Sequence, residues 1–434
     1  MSLRRLGLLG LVLLPFVLAS IAIGGLLFLR QGGFGPYRIP RGAGRVVPAD
    51  AATVARGAYL ARLGDCVACH TTRGGVPFAG GRGFSTDYGT IYSSNLTTDP
   101  HYGLGDWSAD EFAHSMRNGV SRNGVLYPVF PYAHFAQVDD ADLDALYAYL
   151  KTVPASKQVP PPNRLDFPAS WRPALIGWRM LYYHAVETSP EPPSSSAPFV
   201  RGRYLVDGLG HCAMCHSARG ARGSLPAQGY LAGGRIPGVG WYAPPLDSHQ
   251  LQRYSTDQLV AYLRTGTSPQ GSAYGPMAEV VYNSLSALSA EDATAIATYL
   301  KSALPHASPT PPLFPPEQAP QLGVASIGAD VYKRACADCH GDNGRGKDAA
   351  YPPLRDAASI TAPDPINAVR IVLYGGMAPT TAGNPRPYSM PPFVQQLSDA
   401  EIAAVINYVR HEWAGLPSGL TAADIERMHG IVLD

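Results

Sequence analysis

The sequence predicts a mainly α protein, an N-terminal transmembrane helix followed by three small helical domains, and three observations carry this. An uncharged run opens the chain, one domain-sized plan recurs three times, and two proline-rich stretches separate the copies.

The opening run, Leu6 to Leu29, has 24 positions without a charge. At ~1.5 Å per residue it is long enough for a hydrocarbon core of ~30 Å. Arg4 and Arg5 precede it, which places the N-terminus in the cytoplasm and everything after Arg30 outside. A cleaved signal peptide is the alternative. Its apolar region is ~7–15 residues long and ends at a small-x-small site; here the run is longer and Ser20-Ile21-Ala22 is a poor site inside it. An uncleaved anchor over 6–29 is therefore the preferred reading, with Gln31 to Pro48 as a tether. The body is exported on either reading.

Val153 to Pro198 and Leu304 to Leu322 are the proline-rich linkers. They bound domains at 48–153, 199–303 and 325–412, with 413–434 as a C-terminal tail. Each domain opens on a short helical segment: Ala55 to His70, Val200 to His216, Ala329 to His340. Each closes on a helix with an acidic start: Asp139 to Lys151, Ser289 to Lys301, Ser398 to Arg410. Leu143, Leu146, Tyr147 and Leu150 share one face of the first closing helix. Ile296, Tyr299 and Leu300 do so in the second, and Ile402, Val405, Ile406 and Val409 in the third. Tyr149, Tyr299 and Tyr408 set the three copies in register.

Composition narrows the function. The 434 residues carry a formal net charge of +1, which gives nucleic acid no basic field to bind. Hydrophobic residues make up 46%, enough for buried cores, while 46 Gly and 41 Pro imply long loops between them. The six cysteines fall as three C-x-x-C pairs, Cys66/Cys69, Cys212/Cys215 and Cys336/Cys339. That regularity is unlike the varied spacings of a disulfide framework.

Histidine follows each pair at once: His70, His216 and His340. C-x-x-C-H is the attachment signature of c-type haem. Two thiols one helical turn apart reach the two vinyl groups of a porphyrin, and the adjacent imidazole meets the iron from the proximal side. A zinc ribbon wants its second pair ~15–20 residues away, whereas here the first cysteines are 146 and 124 residues apart. Thiol redox needs no histidine after the pair. The three units therefore read as class I cytochrome c domains with three covalently bound haem c groups.

The sixth iron ligand is expected in the loop before each closing helix. Met390 lies 50 residues after His340 and 18 before Tyr408; Met277 lies 61 after His216 and 22 before Tyr299. Both are placed as axial methionines, with Met377 a weaker rival to Met390. The first domain has Phe130 in this register, in Tyr127-Pro128-Val129-Phe130-Pro131-Tyr132-Ala133-His134. His134 is the nearest residue able to ligate iron; Met116 and an open iron are the other readings. His211 stands directly before Cys212 and flanks the second site, and the remaining histidines read as surface or packing residues.

On these residues the chain resembles the triheme cytochrome c subunits of membrane-bound periplasmic dehydrogenases of acetic acid bacteria and relatives. The resemblance runs from about Ala52 to Arg410. It rests on Gly64-Asp65-Cys66 with its haem motif, Ser93-Ser94-Asn95-Leu96-Thr97, the Gly119 to Pro131 loop, Gly275-Pro276-Met277 and Ser389-Met390-Pro391. It implies His70, His216 and His340 as proximal ligands and Met277 and Met390 as distal ones. It also implies electron transfer from a dehydrogenase catalytic subunit to membrane ubiquinone. The alcohol and gluconate branch typically has Met where Phe130 stands and a cleaved signal peptide. Phe130 with Pro131-Tyr132-Ala133-His134, and the anchor, look more like the branch paired with molybdopterin enzymes. Those partners oxidise aldehydes or N-heterocycles and carry their own iron–sulfur subunit.

No substrate-converting site is visible: the chain has no dinucleotide fingerprint, P-loop, nucleophile elbow or zinc-protease motif. The aromatic segment Phe167 to Tyr183 reads first as a packed linker helix or a subunit interface, with quinone contact as its second reading. A haem-based gas-binding or peroxidase module, built around the irregular first site, is the alternative of another class.

Overall fold

The computed structural model describes residues 14–26, 45–183, 196–220, 222–224, 229–302, 322–347, 351–416 and 419–429. About half of it is helix (48%), joined by loops and short antiparallel hairpins.

One arrangement recurs in each repeat. The Ala51–Leu63 helix packs on Asp140–Leu150, Ala197–Arg203 on Ala290–Ser302, and Leu322–Ala335 on Asp399–Ala414. A glycine sits at every crossing. A Cβ added to Gly57 would lie 1.8 Å from the Ala145 carbonyl oxygen and 2.7 Å from Tyr149 Cβ. The figures are 2.0 Å from Ala295 O and 2.8 Å from Tyr299 Cβ for Gly202, and 2.4 Å from Ala404 O and 2.6 Å from Tyr408 Cβ for Gly328. The helices meet backbone to backbone, and the three closing tyrosines occupy one equivalent position.

Between these helices each repeat inserts a further helix and a two-stranded hairpin, tight in the first two repeats and long-looped in the third. Ala109–Asn118 leads into Val120–Ser121 paired with Gly124–Val125, and Thr256–Thr265 into Thr267–Ser268 paired with Gly271–Ser272. Ile366–Tyr374 leads into Gly376–Met377 paired with Ser389–Met390. Gly119, Gly266 and Gly375 end these helices at φ 61°, 77° and 73°, a left-handed bend that glycine makes without strain. Reciprocal capping boxes start four helices, Ser108 with Glu111, Ser255 with Gln258, Ser398 with Glu401 and Thr421 with Asp424. The strands Gly83–Thr86, Gly89–Tyr92 and Arg164–Leu165 form an antiparallel sheet beside the first repeat.

The sequence draws three separate domains, but the first two repeats share one apolar core, running from Leu60 and Leu143 through Leu205 and Val206 to Tyr299 and Leu300. The third has its own, around Val331, Val369, Leu373, Ile402 and Val405, joined by Tyr242 of the second. The segment read as a C-terminal tail is not loose throughout. Its Ala422–Met428 helix packs on Asp399–Ala414 and places Ile425 and Met428 in the third core.

The N-terminal prediction fares differently. Residues 14–26 are helical, with Phe16, Leu18 and Ile21 exposed, and the remainder of 6–29 lies outside the described residues. Among the described residues no helix is long and apolar enough to cross a membrane, so the transmembrane span is not supported. The Phe167 to Tyr183 segment forms the Arg172–Tyr182 helix. It lays Leu175 and Ile176 on Val120 and Val125 and leaves Phe167, Trp171 and Leu181 exposed.

Candidate haem-attachment sites

Each opening helix delivers its C-x-x-C-H to the same kind of turn. Asp65 and His211, the residues before the first cysteine of repeats one and two, both take positive φ, 52° and 38°. The backbone then coils through one helical turn. The N–H of His70 donates to Cys66 O at 3.0 Å, that of His216 to Cys212 O at 3.0 Å, and that of His340 to Cys336 O at 2.9 Å. Histidine thus stands one turn after the first thiol in all three copies. All six thiols are free. Burial pushes Cys66, Cys69 and Cys212 up to about 12 and Cys336 to about 11, holding them as neutral thiols.

The histidines are oriented alike. His70 Nδ1–H donates to Ser94 O at 2.7 Å, His216 Nδ1–H to Pro244 O at 2.7 Å and His340 Nδ1–H to Pro352 O at 2.9 Å. A carbonyl acceptor at Nδ1 fixes the tautomer and leaves the Nε2 lone pair for a metal. Burial lowers all three below the ordinary imidazole value, which keeps that lone pair unprotonated.

His134 shows the same chemistry without a C-x-x-C beside it. It is 0% exposed, and its Nδ1–H donates to Asp207 O at 2.8 Å. Its Nε2 is buried with no hydrogen-bond partner among the described residues. Burial draws it down to about 3, so the ring is neutral. Asp207 is itself fixed by the hydroxyls of Tyr230 at 2.7 Å and Tyr299 at 2.9 Å. A buried imidazole nitrogen left unpaired carries a desolvation cost that a metal bond offsets. The donor set therefore fits haem: paired neutral thiols, three oriented proximal histidines and one orphaned imidazole nitrogen.

Met277 stands in the first turn of the Pro276–Asn283 helix, half-buried. Met390 is half-buried on the Ser389–Met390 strand, opposite Gly376 and against the third core. Met377 is 55% exposed. Met116 is buried in the apolar core of the first two repeats. Phe130 packs its ring 5.3 Å from that of Phe135, which in turn meets His211 at 5.7 Å.

What single positions do not reveal is how closely the first two sites are joined. Arg82 reaches Ala68 O in the first cysteine turn at 2.5 Å and pairs with Glu279, two residues after Met277, at 2.6 Å. Ser284 Oγ donates to Leu63 O at 2.9 Å, and His134 binds Asp207 O beside the second turn. Each repeat's distal segment thus packs on the other's attachment segment. A signal for this pairing was present: Arg56-Gly57-Ala58-Tyr59 recurs as Arg201-Gly202-Arg203-Tyr204, whereas Gly328 of the third repeat has no such arginine and tyrosine around it.

Comparison with known proteins agrees with this geometry. The family model described as cytochrome c matches residues 54–154 and 325–413. The chain is 36% identical over 405 residues to the cytochrome c subunit of the quinone alcohol dehydrogenase of Gluconobacter oxydans (strain 621H), covering 89% of this chain and 84% of that protein. It is 40% identical over 394 residues to the gluconate 2-dehydrogenase cytochrome c subunit of Pantoea cypripedii, covering 87% and 89%. It is 41% identical over 374 residues to one of the subunits of the nicotinate dehydrogenase of Pseudomonas putida, covering 84% of this chain and 31% of that longer protein.

Proposed function

The chain belongs to the family of cytochrome c subunits of bacterial dehydrogenases, and from that membership we propose that it carries electrons from a dehydrogenase catalytic subunit through three haem c groups to ubiquinone. The observation that carries this reading is the threefold turn in which a histidine after C-x-x-C has Nδ1 tied to a carbonyl and Nε2 left free. Bound haem c supplies one-electron ferric–ferrous chemistry. Cys66 and Cys69, Cys212 and Cys215, and Cys336 and Cys339 hold the three groups; His70, His216 and His340 are the proximal ligands. Met277 and Met390 serve the second and third irons on the distal side, and His134 the first. Imidazole in place of thioether at the first site sets its potential below the other two.

The partner in this proposal is an aldehyde- or N-heterocycle-oxidising molybdopterin enzyme with an iron–sulfur subunit. Phe130 in the methionine register and the orphaned nitrogen of His134 support that branch, as does the 41% identity to the nicotinate dehydrogenase relative. A partner of the quinone alcohol or gluconate dehydrogenase type is the second reading, favoured by similarity over more than four-fifths of both chains. The run from Leu6 to Leu29 anchors the chain in the inner membrane, with its body in the periplasm and the exposed Phe167, Trp171 and Leu181, before and within the Arg172–Tyr182 helix, turned to the lipid and its quinone.

Detergent extraction and purification test these points together. Three haems per chain by pyridine haemochrome are expected; fewer overturns the triheme assignment. Molybdenum in the co-purifying complex supports the aldehyde-type partner, and pyrroloquinoline quinone or flavin replaces it with the second reading. A chain lacking residues 1–30 behind a cleavable leader is expected in the soluble periplasmic fraction. Recovery of that variant in membranes after salt washing overturns the anchor.

A further inference from the structure

The second and third repeats meet where a strand lies on a helix. The Trp241–Ala243 strand continues into Pro244, whose carbonyl accepts from His216. Against it lies the Ile366–Tyr374 helix of the third repeat. Tyr242 N–H donates to Asn367 Oδ1 at 2.9 Å, and Asn367 Nδ2 donates to Tyr242 O at 2.7 Å. Three residues further along, Arg370 is 1% exposed. Its Nε, Nη1 and Nη2 are buried with no hydrogen-bond partner among the described residues. Its guanidinium lies 5.0 Å from the centroid of the Trp241 ring and 5.8 Å from that of Tyr374.

A guanidinium has five N–H donors and does not shed its proton to escape burial. Ring faces return part of the desolvation cost of a cation but accept none of its in-plane donors. The contrast with Arg410 is direct: that side chain is also buried, and its Nη1 donates to Ile360 O at 2.7 Å and Ala362 O at 2.9 Å. Arg370 lies over two aromatic rings with its fork unsatisfied, and the acceptor that fits a planar fork is a carboxylate. Burial draws the guanidinium below its ordinary value, which a bound anion would reverse.

Haem c brings two propionate carboxylates, and Arg370 stands near the residues of two haem sites. Across the junction is the strand leading to Pro244 and His216. Along its own chain is the Gly376–Met377 strand, paired with Ser389–Met390. We propose that Arg370 binds a haem propionate at the junction of the second and third repeats, offsetting its negative charge and raising the potential of that haem. This rests on the triheme reading above and adds a positioning residue to it; the carboxylate belongs to the second or the third haem.

The test is potentiometric titration of the purified full-length chain, with haem content measured on every sample. Arg370→Gln is expected to keep three haems and to lower the midpoint potential of one of them, leaving the other two in place. Arg370→Lys should recover part of the shift. Asn367→Ala, which loosens the same junction without removing the cation, should leave all three potentials unmoved. Repeating Arg370→Gln in Met277→His and Met390→His backgrounds assigns the shift. Each background marks its haem by loss of the methionine–iron charge-transfer band, and the marked wave that moves names the propionate's owner. Three loaded haems with unchanged potentials in Arg370→Gln overturn the proposal, as does an equal shift in Asn367→Ala. Fewer than three haems in the unaltered chain instead overturns the triheme reading. Should Arg370→Gln fail to mature, resonance Raman of the unaltered chain decides. A propionate bending mode at a hydrogen-bonded frequency in the second or third haem is expected, and unbonded frequencies in both overturn the assignment.

Discussion

Tyr59 of the first repeat donates its hydroxyl to Asp292 of the second at 2.7 Å, and Tyr204 of the second returns the contact to Asp142 of the first at 2.7 Å. Each carboxylate is also held by an arginine of its own repeat. Arg201 reaches Asp292 through Nε at 2.7 Å and Nη2 at 2.9 Å, and Arg56 Nε reaches Asp142 at 2.6 Å. The exchange has the form of a local two-fold axis, and it binds the first two repeats into one unit.

Removing either hydroxyl therefore weakens the pairing of repeats rather than one repeat alone. Hydrogen bonds to charged groups contribute about 1.5–3 kcal/mol, so Tyr59→Phe and Tyr204→Phe are each expected to destabilise the chain by about that much. Denaturant unfolding followed at the haem absorbance measures it. A loss below about 0.5 kcal/mol in both variants would show that the contacts are incidental.

Acid acts on the same contact. Burial alone would raise the Asp292 carboxyl, but the bonds from Arg201 and Tyr59 outweigh it and hold the group below its ordinary 3.8. A depressed carboxylate contributes stability above its unfolded-state value, and the contribution is lost as pH falls through the folded-state one. The advantage of the unaltered chain over Asp292→Asn should be full at pH 6 and shrink below about pH 4. Unfolding curves at several pH values check this, and an advantage undiminished at pH 3 counts against it.

The helix crossings leave no room for a methyl group. Gly57→Ala, Gly202→Ala and Gly328→Ala each force the backbones apart, and overpacking of this kind costs about 1–3 kcal/mol or more. Gly177, in the Arg172–Tyr182 helix, has nothing within 4 Å of an added Cβ. Gly177→Ala is expected to stabilise by about 0.4–1 kcal/mol. Thermal unfolding of the four variants should split them by sign.

His134→Ala removes the distal ligand proposed for the first haem. The expected spectrum keeps two low-spin haems and gains one high-spin, carbon monoxide-binding haem at unchanged haem content. Met377→Ala, at an exposed position, should leave the spectrum as it was. Three unaltered low-spin haems in His134→Ala would return the first site to Met116 or another ligand.

Much of this was legible from local pattern. The closing helices announce themselves by apolar spacing, and the attachment turns by a five-residue motif, because helical periodicity and haem chemistry both act over a few residues. The shared core of the first two repeats was not, since its contacts join Tyr59 to a residue 233 positions away. The arginine–glycine–tyrosine echo hinted at it without saying which carboxylates it would meet. Arg370 carries no local mark of burial either; a strand from another repeat packs on its helix, with Trp241 against its guanidinium. The helix at Ala422–Met428 lies in the segment read as a C-terminal tail, yet it buries Ile425 in the third core.

The first cysteine stands nine positions after the crossing glycine in the first repeat, ten in the second and eight in the third. The crossings do not shift to compensate. The second repeat takes up its additional residue in the wide turn Tyr204–Leu209, and the first two bend into the left-handed region just before the cysteine, where the third enters directly from its helix. The helix pair behaves as a rigid frame and the short run ahead of the thiols as an adjustable hinge pin. A residue more or less is thus absorbed ahead of the thiols, and one helix frame serves three different spacings.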